Sequence, residues 1–163
     1  MKKEIYLAGG CFWGMQGYFR ELNGVIESKV GYANGLGNEC SYKTIKETMH
    51  AEALYIIYDD SVIALNTLLA HYFRVIDPTS IDKQGGDMGH QYRTGIYYKC
   101  ISDLDTINLF IAGIKDNYLK PIVVAVEPIK NFILAEEYHQ DYLKKNPNGY
   151  CHIDLSLAKK PLN

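Results

Sequence analysis

Cys11 stands between the pair Gly9-Gly10 and the chain's only tryptophan, Trp13, in a run that closes with Gly14. The apolar residues Tyr6, Leu7 and Ala8 before it predict the end of a strand, and Gln16 to Leu22 after it predict a short amphipathic helix. A thiol at that junction meets a helix N-terminus, whose unpaired N–H groups and positive dipole end favour thiolate over thiol. An unperturbed cysteine with a pKa of about 8.5 is only slightly ionised at neutral pH, whereas one tuned to about 7 is half thiolate. The commonest fate of a free cysteine is burial as a small apolar residue, but two glycines and a helix start favour a reactive one. Trp13 fits a core position and a pocket wall equally well, with Phe12 beside it.

A second group that could do chemistry is His50-Ala51-Glu52, which opens a strand-like run and puts His50 and Glu52 on one side of it. A surface glutamate is the default. Were Glu52 buried among tyrosines, desolvation would raise its pKa and hold it protonated as a general acid. The run Asp87-Met88-Gly89-His90-Gln91-Tyr92-Arg93 gathers polar side chains of several kinds, a composition that in isolation reads as a solvated loop. The cysteines Cys11, Cys40, Cys100 and Cys151 include no Cys-x-x-Cys pair, and with five histidines they show no metal-ligand spacing. No metal or bound cofactor is expected. Cys100, near a strand end, reads as half-buried and inert.

These residues have to be positioned by one domain. The 163 residues suit a single core, and 47% hydrophobic content beside 22% charged is ordinary for a globular chain. A net charge of -2 without a basic run argues against nucleic acid or an anionic membrane as partner. The start Met1-Lys2-Lys3-Glu4 leads into an apolar run too short for a signal peptide or a span, so a cytoplasmic protein is expected. Fourteen tyrosines against five phenylalanines suggest aromatic packing with hydroxyls left to bond.

Along the chain, strands are expected at 4–8, 25–32, 50–58, 94–98 and 122–126. Helices are expected at 16–22, from a Ser61 cap to before Asp77-Pro78 with Val62, Leu65, Leu68, Leu69 and Tyr72 inward, from Ser102 to about Tyr118, and at 134–145. Residues 34–49 and 80–91 read as loops, and the segment from about 146, with Cys151, as an extended, mobile tail. The order of the first six elements matches a split βαβ arrangement. The expected fold is therefore α+β, a ferredoxin-like two-layer sandwich with a mixed sheet and a C-terminal extension.

Taken together, Gly10 to Gly14, His50-Ala51-Glu52, Asp87 with Gly89-Gln91-Tyr92-Arg93, and Ala135-Glu136-Glu137-Tyr138-His139-Gln140 through Asn146-Pro147 and Gly149-Tyr150-Cys151 resemble the peptide methionine sulfoxide reductase A family over nearly the whole chain. The resemblance implies a peptide-methionine (S)-S-oxide reductase acting on free or protein-bound methionine S-sulfoxide. Cys11 would be the nucleophile, becoming a sulfenic acid. Glu52 would protonate the sulfoxide oxygen with help from Tyr42 and Tyr92, Phe12 and Trp13 would hold the substrate methyl, and Asp87 would position the substrate. Cys151 would then close a disulfide that thioredoxin reduces, in a monomer with one catalytic domain. The chain departs from the family's common Asn-Pro-x-Tyr and Thr-Gly runs, showing Asn38-Glu39-Cys40-Ser41-Tyr42 and Thr48-Met49-His50. Tyr32 and Tyr55 are accordingly alternatives to Tyr42, and Cys40 an alternative resolver. A thiol peroxidase or glutaredoxin-like reductase would also use a helix-start cysteine, but gives Glu52 and the aromatic pair no role; a non-catalytic binder of methionine peptides would leave its thiols unchanged.

Overall fold

In the computed structural model, which describes residues 1–162, β1 (Lys2–Ala8) lies between β3 (Ala51–Asp59) and β6 (Gly95–Tyr98), antiparallel to both. On the far side of β3, β2 (Val25–Ala33) is again antiparallel, with a bulge between Val25 and Glu27. Two outer strands, β7 (Ala125–Pro128) and β8 (Phe132–Leu134), complete the order β7-β6-β1-β3-β2-β8. Because β7 runs parallel to β6, the sheet is mixed.

Alternation along the strands separates two faces. Ile5, Leu7, Val30, Leu54 and Ile56 point to the larger core, which they share with α1 (Phe12–Phe19), α3 (Leu65–Val75) and Ile107 of α4 (Ser102–Ile114). Tyr6, Ala8, Ala33, Ala51, Ala53 and Tyr97 point the other way, under Phe132 and Ile129. Glu52 has the parity of Leu54, so it shares the helix face. Several tyrosines do bond through their hydroxyls, Tyr18 to His71 and Tyr32 to Glu136 among them, while the buried hydroxyls of Tyr58 and Tyr97 have no partner.

Differences from the sequence reading have local causes. The first helix starts at Phe12 rather than Gln16, which makes Cys11 its N-cap residue. Helix α3 starts four residues beyond Ser61, because the Asp59 carboxylate takes the Ser61 N–H and hydroxyl at 3.0 and 2.6 Å and holds a turn there; Val62 is consequently exposed. The strand expected at 122–126 shifts to Ala125–Pro128. The helix expected at 134–145 is reduced to one 3₁₀ turn, Glu137–His139, and the four residues of α5, Tyr142–Lys145. Gln140 explains this: its amide accepts from Val30 N–H at 3.0 Å and donates to Val30 and Ala135 carbonyls at 2.8 and 3.1 Å, extending the sheet's bonding beside β2. Asp141 N–H is likewise taken by the Gln16 side chain at 2.8 Å.

The two expected loops contain small elements. Residues 34–49 hold α2 (Ile45–Thr48), which stops at Met49 with φ +64°. That is the left-handed region glycine enters without strain. Residues 80–91 hold the hairpin β4 (Lys83–Gln84) and β5 (Asp87–Met88), followed by a 3₁₀ turn at His90–Tyr92.

The C-terminal segment, expected as extended, is folded onto the domain. Ile153 is buried, residues Leu155–Lys159 form a 3₁₀ helix against α1, and the Arg74 guanidinium donates to the carbonyls of Leu157, Lys160 and Pro161. None of the helices among the described residues is long and apolar enough to cross a membrane.

Candidate active site

The end of β1 turns through Gly9 and Gly10 into α1, and Gly10 N–H bonds the Tyr92 carbonyl at 3.1 Å, tying the turn to the loop after β5. Gly10 has φ +76°, where a side chain would be strained. Cys11 follows at the N-cap of α1, buried and with a free thiol.

Glu52 is placed by β3 directly beneath this turn. It is 1% exposed, its Oε1 accepts the Phe12 N–H at 3.1 Å, and its Oε2 is buried without a partner. Burial raises its pKa to about 8, with the Phe12 N–H and Gln91 pulling down and Asp87 adding to the rise. The carboxyl is therefore mostly protonated at neutral pH.

Cys11 does not behave as its helix position alone predicts. Burial, and then the neighbouring Glu52 carboxylate, push the thiol well above the ordinary range, and the Trp13 N–H offsets only part of this. The correction follows from magnitude: one helix end contributes tenths to about 1 kcal/mol, less than the desolvation of a buried thiolate. The resting site pairs a neutral thiol with a neutral acid.

The aromatic neighbours divide. Phe12 is buried, packed against Tyr32 and His139 with ring centroids 5.8 and 5.2 Å away. Trp13 is half-buried; one face stacks on Tyr142 at 3.7 Å and its Nε1–H donates to His139 Nδ1 at 3.0 Å. Burial lowers the His139 pKa, so the ring is neutral and free to accept that bond.

Tyr42 reaches the same place from the loop after β2. Its N–H donates to Glu136 Oε2 at 3.2 Å, its ring lies 4.9 Å from His139, and its hydroxyl lies by Tyr92. Burial, then the Glu52 charge, raise the pKa of both Tyr42 and Tyr92, which remain neutral donors. Of the alternatives, Tyr32 lies opposite Glu52 in the β2–β3 register but gives its hydroxyl to Glu136 Oε1 at 2.7 Å. Tyr55 is on the other face of the sheet, bonded to Glu4.

Asp87, on β5, accepts from Tyr150 at 3.3 Å and faces His152 Nδ1 at 3.7 Å. Cys151 lies beside them, its thiol donating to the Ile153 carbonyl at 3.2 Å and packed so closely on Gly14 that a Cβ there would stand 3.0 Å from the sulfur. Cys11, Phe12, Trp13, Tyr42, Glu52, Asp87, Tyr92 and Cys151 are thus gathered around the first turn of α1. Cys40 lies apart on the Thr48 hydroxyl, and Cys100 is exposed beside Ser102 rather than half-buried. Reading the residues one by one missed His139, Tyr142 and Glu136 as members of the site. All three lie in a stretch that reads as helix; only the resemblance to Ala135–Gln140 marked part of it.

A family model described as peptide methionine sulfoxide reductase matches residues 3–163. The chain belongs to that family. It is a peptide methionine sulfoxide reductase, an oxidoreductase, and two solved relatives agree with its structure closely. Mxr1 of Saccharomyces cerevisiae in reduced form is 41% identical with a TM-score of 0.87, covering 92% of this chain and 88% of that one. Methionine sulfoxide reductase A of Corynebacterium diphtheriae is 29% identical with a TM-score of 0.88, covering 92% and 77%. Mxr1 in complex with Trx2 is 31% identical over 86% and 84% of the two chains, with a lower TM-score of 0.63.

Proposed function

We propose that this reductase acts on the S epimer of methionine sulfoxide, free or in proteins, with Cys11 as nucleophile and Glu52 as acid. The observation that carries the mechanism is Glu52: a carboxyl 1% exposed, with a pKa of about 8 and one oxygen unpartnered, beside a buried thiol. A sulfoxide sulfur is a poor electrophile until its oxygen is protonated, because an oxide leaving group is too basic. Glu52 supplies that proton, and the Tyr42 and Tyr92 hydroxyls donate hydrogen bonds to the same oxygen. Trp13 and Phe12 form the wall and floor of the methyl site, and Asp87 orients the rest of the substrate.

The proton balance suits a neutral thiol. As Cys11 sulfur bonds to the substrate sulfur, its proton passes to the carboxylate that Glu52 leaves on donating to oxygen. The substrate S–O bond and the transient S–S bond then break as the hydroxyl passes to the Cys11 sulfur: Cys11 is oxidised to sulfenic acid, the sulfoxide leaves reduced to methionine, and Glu52 is again protonated. The Cys151 thiol next displaces that oxygen: the disulfide forms and water leaves, sparing Cys11 from over-oxidation. The tail must move for this, so its mobility belongs to the proposal.

Reduction of the disulfide is assigned to a thioredoxin, supported by the relative Mxr1 solved in complex with Trx2. A cytoplasmic location suits that supply of reductant, and because one chain carries every site residue a monomer suffices. The strand order β6-β1-β3-β2 with helices on one face supports reading the central unit as ferredoxin-like. The test of function is stereochemical: with dithiothreitol as reductant, a racemic methyl sulfoxide should lose its S epimer and keep its R epimer. Equal consumption of both, or turnover retained by Cys11→Ser, would overturn the assignment.

A further inference from the structure

His152 follows the proposed resolving cysteine, yet its side chain is only 7% exposed and both ring nitrogens lack a hydrogen-bond partner. It occupies a slot formed by three elements. A Cβ on Gly10 would stand 2.7 Å from the imidazole, one on Gly85 3.2 Å from the His152 Cβ, and the Gln84 side chain closes the same space next to Gly10. At the mouth, Asp87 Oδ2 lies 3.7 Å from Nδ1. Gly10 and Gly85 both have positive φ, so the turn before Cys11 and the β4–β5 turn each present bare backbone to this ring.

Immediately before and after it, Cys151 and Ile153 pack on Gly14, one turn along α1 from Cys11. A buried imidazole with two unmatched nitrogens costs free energy that an apolar residue would not. Here that side chain sits where the tail crosses the turn before Cys11.

We infer that His152 is a positioning residue for the second half-reaction: seated between Gly10, Gly85 and Asp87, it holds Cys151 within reach of Cys11. The inference rests on Cys151 being the resolver. The step it serves is balanced within the chain. The Cys151 sulfur bonds to the Cys11 sulfur as the S–O bond of the sulfenic acid breaks, and hydroxide leaves with the Cys151 proton as water. Cys11 is reduced from sulfenic acid to disulfide while Cys151 is oxidised. His152 acts through Cys151 and touches neither substrate nor the reacting oxygen.

Quenched-flow single turnovers without reductant separate the two half-reactions, reading methionine release and Cys11–Cys151 disulfide by peptide mapping. His152→Ala should release methionine at the wild-type rate and form the disulfide at least tenfold more slowly. His152→Gln, which keeps a polar group in reach of Asp87, should restore most of that loss. Disulfide formation at the wild-type rate in His152→Ala, or an equal loss of methionine release, would overturn the inference. If the wild-type protein itself forms no Cys11–Cys151 disulfide, the resolver assignment fails instead.

Discussion

At Glu52, burial that works against the charged carboxylate also keeps the proton that the proposed mechanism delivers to the sulfoxide oxygen. The active form is the protonated one, so the rate should fall as pH rises through about 8. The Cys11 thiol is held above the range where it could supply a competing ionisation. Glu52→Gln should lower kcat/KM by about a hundredfold or more, the usual worth of a general acid, and remove that alkaline limb. A variant retaining the wild-type profile would refute the acid role. Cys11 is legible in sequence from its glycines and helix start, whereas strand parity with His50 leaves Glu52 a surface residue by default and only the resemblance implies its role. The direction of the Cys11 shift is not legible, because it depends on burial and on a carboxyl 41 residues away in the chain.

The elements that place this pair are joined by side chains as much as by backbone. Tyr72 of α3 donates its hydroxyl to the Ala8 carbonyl at 2.5 Å and accepts Gly95 N–H at 3.1 Å, at the point where β1 and β6 part before the catalytic turn. Tyr72→Phe should cost about 1–3 kcal/mol in urea unfolding, since both backbone groups are buried and would lose a partner. An unchanged midpoint would show that they find other bonds. Strand periodicity made the four central strands readable but not β8, and α3 and α4 were readable from their apolar faces. The expected C-terminal helix was not, because the bonds that dismantle it come from Gln140 to β2 and from Gln16 to Asp141. Helix α2 ends on a left-handed Met49, where sequence offers no glycine to announce the stop.

Over the whole molecule, the site carries a stability cost that pH exposes. Glu52 has a folded pKa of about 8 against 4.5 for the free side chain, so the folded state binds the proton more tightly. The associated stability is fully present below 4.5 and is lost as pH rises through 8, in total on the order of 5 kcal/mol. The buried histidines His50, His71, His139 and His152 act in the opposite sense, since burial lowers their pKa and stability falls as they are forced to protonate below 6.5. These terms are common to wild type and Glu52→Gln. The variant should therefore gain unfolding free energy relative to wild type between pH 5 and pH 8, and a difference independent of pH would contradict the burial argument. The tail was the part of the molecule least readable in sequence: its polar, glycine-containing approach suggests looseness, while its anchoring depends on Arg74, Gly10 and Gly14 in distant parts of the chain. The central claim, that Cys11 reduces the sulfoxide and Cys151 resolves it, is tested most directly by one turnover of the reduced protein on a methyl S-sulfoxide without reductant. One methionine per chain, loss of two of the four free thiols and a mapped Cys11–Cys151 bridge are predicted; methionine release with all four thiols intact would contradict it.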